Sequence, residues 1–337
     1  MAKKHTLVLI PGDGIGPEVS SAARRVLDAA GLDADWVEVP AGATAVEQGH
    51  DNVLPAVTLD AIRRHKIALK GPVTTPVGKG FKSVNVQLRQ KLGLYAAVRP
   101  VRTMAGVKTR FDNVDMVIIR ENTEGLYTGI EAEITPGVFT SLKVATESAC
   151  TRIARYAFNY AVNRRRRRVT AFHKANIMKL TDGMFIACAQ RVHREEFPQV
   201  EYDERIIDAG CMKLVQDPTQ FDVLLMENLY GDLVSDLCAG LVGGLGVSPG
   251  ANIGDDVAVF EAVHGSAPDI AGQNKANPLA MIISGVMMLN HIGETAIAER
   301  IKSAYNAVLA EGKELTYDLG GRLGTREFAD ALIARLR

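Results

Sequence analysis

Short apolar runs alternate with longer segments of helical periodicity along the whole chain: Thr6–Ile10, Ile67–Leu69, Met116–Ile119, Val169–Phe172, Val223–Met226 and Val257–Phe260. Such alternation restricts the chain to an α/β fold, with strands buried beneath helices. With 337 residues, 47% of them hydrophobic, there is enough chain for a large core and two domains. No repeat or low-complexity linker separates two halves, so one domain is expected to be inserted into the other. The turn at Arg99-Pro100 and the Gly-rich stretch 241–254 are the expected crossing points, giving an outer domain of residues 1–96 and 243–337 and an inserted domain of residues 97–242. Residues Glu124 to Lys143 are rich in β-branched residues, Gly and Pro and fit a projecting hairpin arm.

Charge narrows the function. Lys and Arg total 39 and Asp and Glu total 39, and this balance argues against a nucleic-acid or membrane-surface role. The basic run Arg164–Arg168 lies between a helical pattern and a strand and reads as a solvated loop. The four cysteines form no C-x-x-C pair, so neither zinc nor a disulfide framework is expected. A strand begins within a few residues of Met1, leaving no room for a targeting peptide, and a cytoplasmic location is expected. The apolar stretch Leu279 to Leu289 is too short to span a bilayer and reads as a core helix.

Chemistry gathers at strand ends. Asp232 and Asp236 follow the run FDVLLM and stand four apart, which places both carboxylates on one helical face, suited to a hard divalent cation; two unrelated solvated acids are the plainer reading. Gly12-Asp13-Gly14-Ile15-Gly16-Pro17-Glu18 opens a helix after a strand but is not G-x-G-x-x-G, and tight packing explains it equally well. Arg89 closes the stretch Ser83 to Arg89, Arg99 precedes Pro100, and Arg120 ends DMVIIR. Three arginines at strand ends or strand-proximal turns point to a ligand with several carboxylates, with Ser83 and Asn85 adding neutral donors. Lys174 follows an apolar strand; an ammonium crowded by cations gives up its proton more readily and can act as a base. Tyr127 is either a proton donor or an arm residue, and the small-residue loop around His264 is suited to wrapping an adenosine.

In order, GDGIGPE, RENTEG, HKAN, NLYGDLVSD and HGSAPDIAG resemble the β-decarboxylating dehydrogenases, the family of isocitrate, isopropylmalate, homoisocitrate and tartrate dehydrogenases. The resemblance covers nearly the whole chain. It implies an isopropylmalate dehydrogenase-like α/β/α fold, not a Rossmann fold, whose outer domain binds the cofactor and whose inserted domain dimerises and carries the arm. It implies a homodimer with shared sites: Asp232 and Asp236 hold Mg²⁺ or Mn²⁺ together with the partner subunit's Asp208, and the lysine and asparagine matching Lys174 and Asn176 also cross over. It further implies Lys174, with Asp232 close by, as base, Tyr127 as the acid protonating the enol, and Arg89, Arg99 and Arg120 on the substrate carboxylates.

Ser83 and Asn85 stand where isopropylmalate enzymes carry apolar and acidic side chains, so the resemblance favours isocitrate, a tricarboxylate, with homoisocitrate as the runner-up. Asp269 and Ile270 replace the Lys-Tyr pair of the NADP-type enzymes, and Gly321 replaces an arginine, which implies NAD. Glu261, His264, Gly265, Ser266, Ala267 and Asn277 complete the expected adenosine loop, and Ile15, Lys70, Thr74 and Thr75 flank the nicotinamide end. A non-catalytic regulatory chain of a heteromeric enzyme is the competing class, and the serine matching Ser83 is a phosphorylation site in the bacterial NADP-type enzymes.

Overall fold

A computed structural model describes residues 4–75 and 82–336, so Pro76, the last residue of the KGPVTTP motif, lies outside the described residues. The chain divides into two compact units: residues 1–94, 104–109 and 242–337 form the outer one, and residues 95–103 and 110–241 the inserted one.

The outer unit is built on a mostly parallel sheet in the order Ala34–Glu38, His5–Ile10, Ile67–Lys70, Ala258–Ala262, Pro249–Ile253, the last strand running antiparallel. Helices cover both faces, which is why its central strands are apolar on both sides instead of alternating. On one face Val8, Ile10, Ala68 and Val259 pack with Leu59 and Ile62 of the helix Ala56–His65 and with Val84 and Leu88 of the helix Val84–Lys91. The helix Leu279–His291 is apolar nearly all round and packs against the strands Pro249–Ile253 and Ala258–Ala262, the core helix expected of that stretch. Among the described residues no helix is long and apolar enough to cross a membrane.

The inserted unit has its own order: Ala96–Arg102, Asp115–Glu121, Val223–Met226, Arg168–His173, Glu201–Ile206, antiparallel in the first pair and parallel in the rest. The helix Glu147–Asn163 packs on this sheet and on the helix Thr181–Glu196; its N-cap, Thr146, accepts from Ala149 N–H at 3.2 Å. The expected arm is a two-stranded hairpin, Glu131–Thr135 against Val138–Ser141, with Ile134 and Phe139 exposed.

Two local expectations are corrected. Arg99-Pro100, expected as a turn, lies inside the strand Ala96–Arg102, where both residues pair with the strand Asp115–Glu121. The stretch Ser83 to Arg89, read as ending in a strand-like Arg89, is a helix, Val84–Lys91, whose N-cap Ser83 accepts from Val86 N–H at 3.5 Å. Its V-N-V-Q-L alternation imitates a strand, but Val84 and Leu88 lie four apart and both bury against the outer sheet, the spacing of one helical face. Asn85 and Arg89 share another face in the same way.

Candidate active site

Within the inserted unit the chemistry converges where the strand Asp115–Glu121 meets the helix Asn228–Leu241. Arg120, 1% exposed, sends Nε and Nη2 to Asn228 Oδ1 at 3.1 and 2.6 Å and Nη1 to Asp232. The helix approaches so closely that a Cβ on Gly231 would collide with the Arg120 side chain. Tyr127 stacks its ring 5.1 Å from the Arg120 guanidinium and donates its hydroxyl to Asp232. Arg99, buried on the neighbouring strand, adds positive potential felt by both Arg120 and Asp236. Burial raises the Asp236 carboxyl above its ordinary value, the Asp232 charge raises it further, and Arg99 and Arg120 counter both. Two carboxylates one helical turn apart in this state suit a divalent cation, which relieves their repulsion and accepts oxygen ligands.

Among the described residues no three acidic, His or Cys side chains gather in a metal-binding group. Asp208 stands elsewhere on the same unit, in the first turn of the helix Ile207–Gln216. There it pairs with Lys174 at 3.0 Å, a bond that holds its carboxyl below the usual range. Within one chain, Lys174 is therefore paired with Asp208. Asn176 is exposed in the turn that follows Lys174.

The outer unit holds the remaining expected residues. Lys70 is 1% exposed and pairs with Glu261 at 2.7 Å; Glu261 also accepts from Asn252 at 2.7 Å and lies 3.6 Å from Arg89. Lys70, Glu261 and Arg89 thus share one buried ionic knot. Among the described residues Asn85 Oδ1 is buried without a hydrogen-bond partner, and such an orphaned acceptor is a place for a polar ligand. His264 contacts the Gly265 carbonyl through Nδ1 at 3.0 Å, while its Nε2 is buried and unpartnered; burial pushes the imidazole below its usual value, favouring the neutral form. The loop continues through Ala267 at a positive φ of 36° to Pro268–Ile270, a short 3₁₀ turn that leaves Asp269 exposed and Ile270 half-buried. Asn277 bonds Asp318 at 2.9 Å and caps Leu279 N–H at 2.9 Å.

Sequence reasoning missed Asp13. Its carboxylate accepts from Ala43 N, Thr44 N, Thr44 Oγ1 and Thr74 N at 2.6–2.9 Å, tying three loops together. Thr74 Oγ1 in turn meets Ser266 Oγ at 2.6 Å, Thr75 Oγ1 accepts from Val84 N–H at 3.0 Å, and Ile15 N–H donates to the Ser266 carbonyl at 2.8 Å. A Cβ on Gly14 would strike that same carbonyl. The GDGIG turn therefore serves close packing of the loop around Ser266. An aspartate between two glycines was the available signal, since Asp commonly accepts from nearby backbone N–H groups.

Other expectations meet the structure directly. In the basic run, Arg166 pairs with Asp115 and Asp222, and Arg167 and Arg168 with Glu201, as befits an ordinary surface loop. All four cysteines are free, and burial pushes Cys150 and Cys238 up to about 12, so these two carry little thiolate.

Acids and buried arginines meeting at a strand-to-helix junction of a mostly parallel α/β fold suit an anionic ligand. The chain belongs to the isocitrate/isopropylmalate dehydrogenase family, whose profile matches residues 6–332. It is similar to catalytic subunit 5 of mitochondrial NAD isocitrate dehydrogenase from Arabidopsis thaliana, at 52% identity over 332 residues, 98% of this chain and 88% of that one. It is 48% identical over 336 residues to a mitochondrial regulatory subunit of NAD isocitrate dehydrogenase from Dictyostelium discoideum, covering 99% and 93%. It is 50% identical over 306 residues to a chloroplastic 3-isopropylmalate dehydrogenase of Solanum tuberosum, covering 90% and 85%. The crystal structure of isocitrate dehydrogenase from Methylococcus capsulatus superposes with a TM-score of 0.95 at 50% identity over 99% of both chains.

These relatives overturn the expected cytoplasmic location, since the isocitrate dehydrogenase subunits among them are named mitochondrial.

Proposed function

We propose that this chain catalyses NAD-dependent oxidative decarboxylation of isocitrate to 2-oxoglutarate and CO₂, assisted by Mg²⁺ or Mn²⁺. The observation that carries the reading is the placement of buried Arg120, with Arg99 adding to its potential, against the Asp232–Asp236 pair: cations for an anionic substrate beside carboxylates for a metal. Asp232 and Asp236 would hold the metal, which when bound acidifies the substrate hydroxyl and stabilises negative charge developing during decarboxylation. Arg99 and Arg120 orient carboxylates. Lys174 takes the hydroxyl proton, and Tyr127 returns a proton to carbon from its phenol oxygen.

For the cofactor, the neutral, unpartnered His264 Nε2 suits a nucleoside, and exposed Asp269 suits a ribose diol while repelling a 2′-phosphate. Gly321 supports NAD independently: a Cβ there would collide with the Leu315 carbonyl, so an arginine at this position needs a different backbone. Ile15, Lys70, Thr74 and Thr75 belong to the nicotinamide side of this reading, Gly265, Ser266, Ala267, Ile270 and Asn277 to the adenosine side. The polar Ser83 and Asn85 favour isocitrate over isopropylmalate, because an isopropyl group would leave their hydrogen-bonding atoms unpaired.

The working form in this reading is a homodimer. Leu180 is 88%, Ile177 68%, Leu233 62% and Met212 52% exposed within one chain, an apolar set on the inserted unit that a partner would cover. The partner subunit's Asp208 would then complete the metal site, with Lys174 and Asn176 crossing in the same way. A regulatory role, suggested by the Dictyostelium relative's name, disagrees with the presence here of Arg89, Arg99, Arg120, Tyr127, Lys174 and all three aspartates.

The test is turnover by the purified chain alone with isocitrate, homoisocitrate, isopropylmalate or tartrate, each with NAD or NADP and Mg²⁺, read as absorbance of the reduced nicotinamide. Dominant turnover of isopropylmalate refutes the use made of Ser83 and Asn85. Silence with every pair in a folded, metal-binding protein refutes the catalytic reading.

A further inference from the structure

We infer that Asp182 is a positioning residue for Lys174, tying the backbone of that lysine through Lys143 to Glu227 and Tyr230 at the entry of the helix Asn228–Leu241, so that the lysine is held in place to serve the partner subunit's site. The inference rests on the catalytic reading above, in which Lys174 takes the substrate proton.

Asp182 is the second residue of the helix Thr181–Glu196 and is 2% exposed. One carboxylate oxygen accepts the Lys174 backbone N–H at 2.7 Å, and the other accepts Lys143 Nζ at 2.6 Å. Lys143, just beyond the arm, lies 3.5 Å from Glu227 Oε2 and 4.7 Å from the centroid of the Tyr230 ring. The Tyr230 backbone N–H donates to Glu227 Oε1 at 2.8 Å. Glu227 and Tyr230 form the entry to the helix Asn228–Leu241, whose next residues include Asp232 and Asp236.

A stabilising ion pair between Lys143 and Asp182 would need one carboxylate oxygen. Here the second oxygen grips the peptide of Lys174, just where the strand Arg168–His173 ends and regular sheet pairing stops. A charge-assisted bond from a nearly waterless carboxylate holds that peptide more firmly than a solvated turn would. Loosening it lets the lysine drift, and misplacement by about 1 Å costs on the order of 100-fold in rate.

The experiment compares Asp182→Asn, Asp182→Glu and Lys174→Ala in the full chain, measuring kcat, KM for isocitrate, KM for NAD and the melting temperature. Lys174→Ala should be without turnover. Asp182→Asn should keep both KM values within about threefold while kcat falls about 30- to 100-fold, and Asp182→Glu should recover part of that loss. Parental kcat in Asp182→Asn beside an inactive Lys174→Ala overturns the inference and leaves the catalytic reading standing. Full turnover by Lys174→Ala removes the reading itself. If Asp182→Asn does not fold, Lys143→Met decides, since it removes the other partner of that carboxylate: a fall in kcat at constant KM supports the assignment, and unchanged kcat overturns it.

Discussion

Replacing Glu261 by alanine strands a charge inside the outer unit. Lys70 would keep the Gly71 carbonyl at 3.1 Å but lose the carboxylate at 2.7 Å, with 1% of its surface available to water. Removing one partner of a buried ion pair costs about 3–5 kcal/mol, because the remaining charge is neither hydrated nor neutralised. In a unit of about 200 residues each kcal/mol shifts the melting temperature by about 2–4 °C, so a fall of about 6–20 °C is expected. Scanning calorimetry of Glu261→Ala, Lys70→Met and the double variant Lys70→Met/Glu261→Gln separates the causes. Glu261→Ala should destabilise most, Lys70→Met less because Arg89 and Asn252 still hold the carboxylate, and the double should recover only part of the loss, since it clears the charge at Lys70 but takes from Arg89 the carboxylate it faces. Lys70 and Glu261 stand on the cofactor side of the proposed reading and Arg89, 3.6 Å from Glu261, on the substrate side, so KM for both NAD and isocitrate should rise. A Glu261→Ala protein melting within about 2 °C of the parent would refute the idea that this pair holds the sheet interior together.

Three further outcomes are expected. Asp208→Asn and Asp232→Asn should each be inactive alone, yet subunits mixed under exchange conditions should regain about a quarter of parental activity, since half the dimers are mixed and each has one intact site; no recovery refutes the shared site. Tyr127→Phe should lower kcat by about 10²- to 10⁴-fold with little change in metal binding by calorimetry; parental kcat would exclude the phenol as the acid. Because burial depresses the His264 imidazole, the unfolded chain binds its proton more readily, and the stability it contributes is lost as pH falls through the unfolded value of 6.5 and below. Urea denaturation from pH 8 to 5 should show that decline flattened in His264→Gln, and an unchanged slope refutes the assignment.

The strands legible in advance were those with continuous apolar runs: Val223–Met226 is the run as read, and His5–Ile10 and Arg168–His173 extend it by a residue or two. The missed strands are of another kind. EYDERI at Glu201–Ile206 and ADWVE at Ala34–Glu38 each end the strand order of their unit, and their charges blunt an exposed edge instead of advertising a core. PGANI at Pro249–Ile253 is small and broken by Pro and Gly, so its burial follows from the helix Leu279–His291 packed over it and from nothing in its own pattern. At the site, the i,i+4 spacing of Asp232 and Asp236 was readable locally. The grip of Asn228 on Arg120, across 108 residues, and the Asp13 knot reaching Thr74 were not, because no local periodicity encodes a contact between distant loops.

Arg120 is wedged beneath Gly231 where not even a methyl group fits, whereas Ser83 is exposed and Asn85 half-buried at the start of a short helix. Evolution therefore meets two very different tolerances in one protein. In the proposed reading, the grip on the ligand's shared acid groups is frozen by steric crowding, while the residues that would tell one hydroxy acid from another lie where exchange disturbs little packing. A scaffold organised this way is free to diversify its diet without relearning its chemistry.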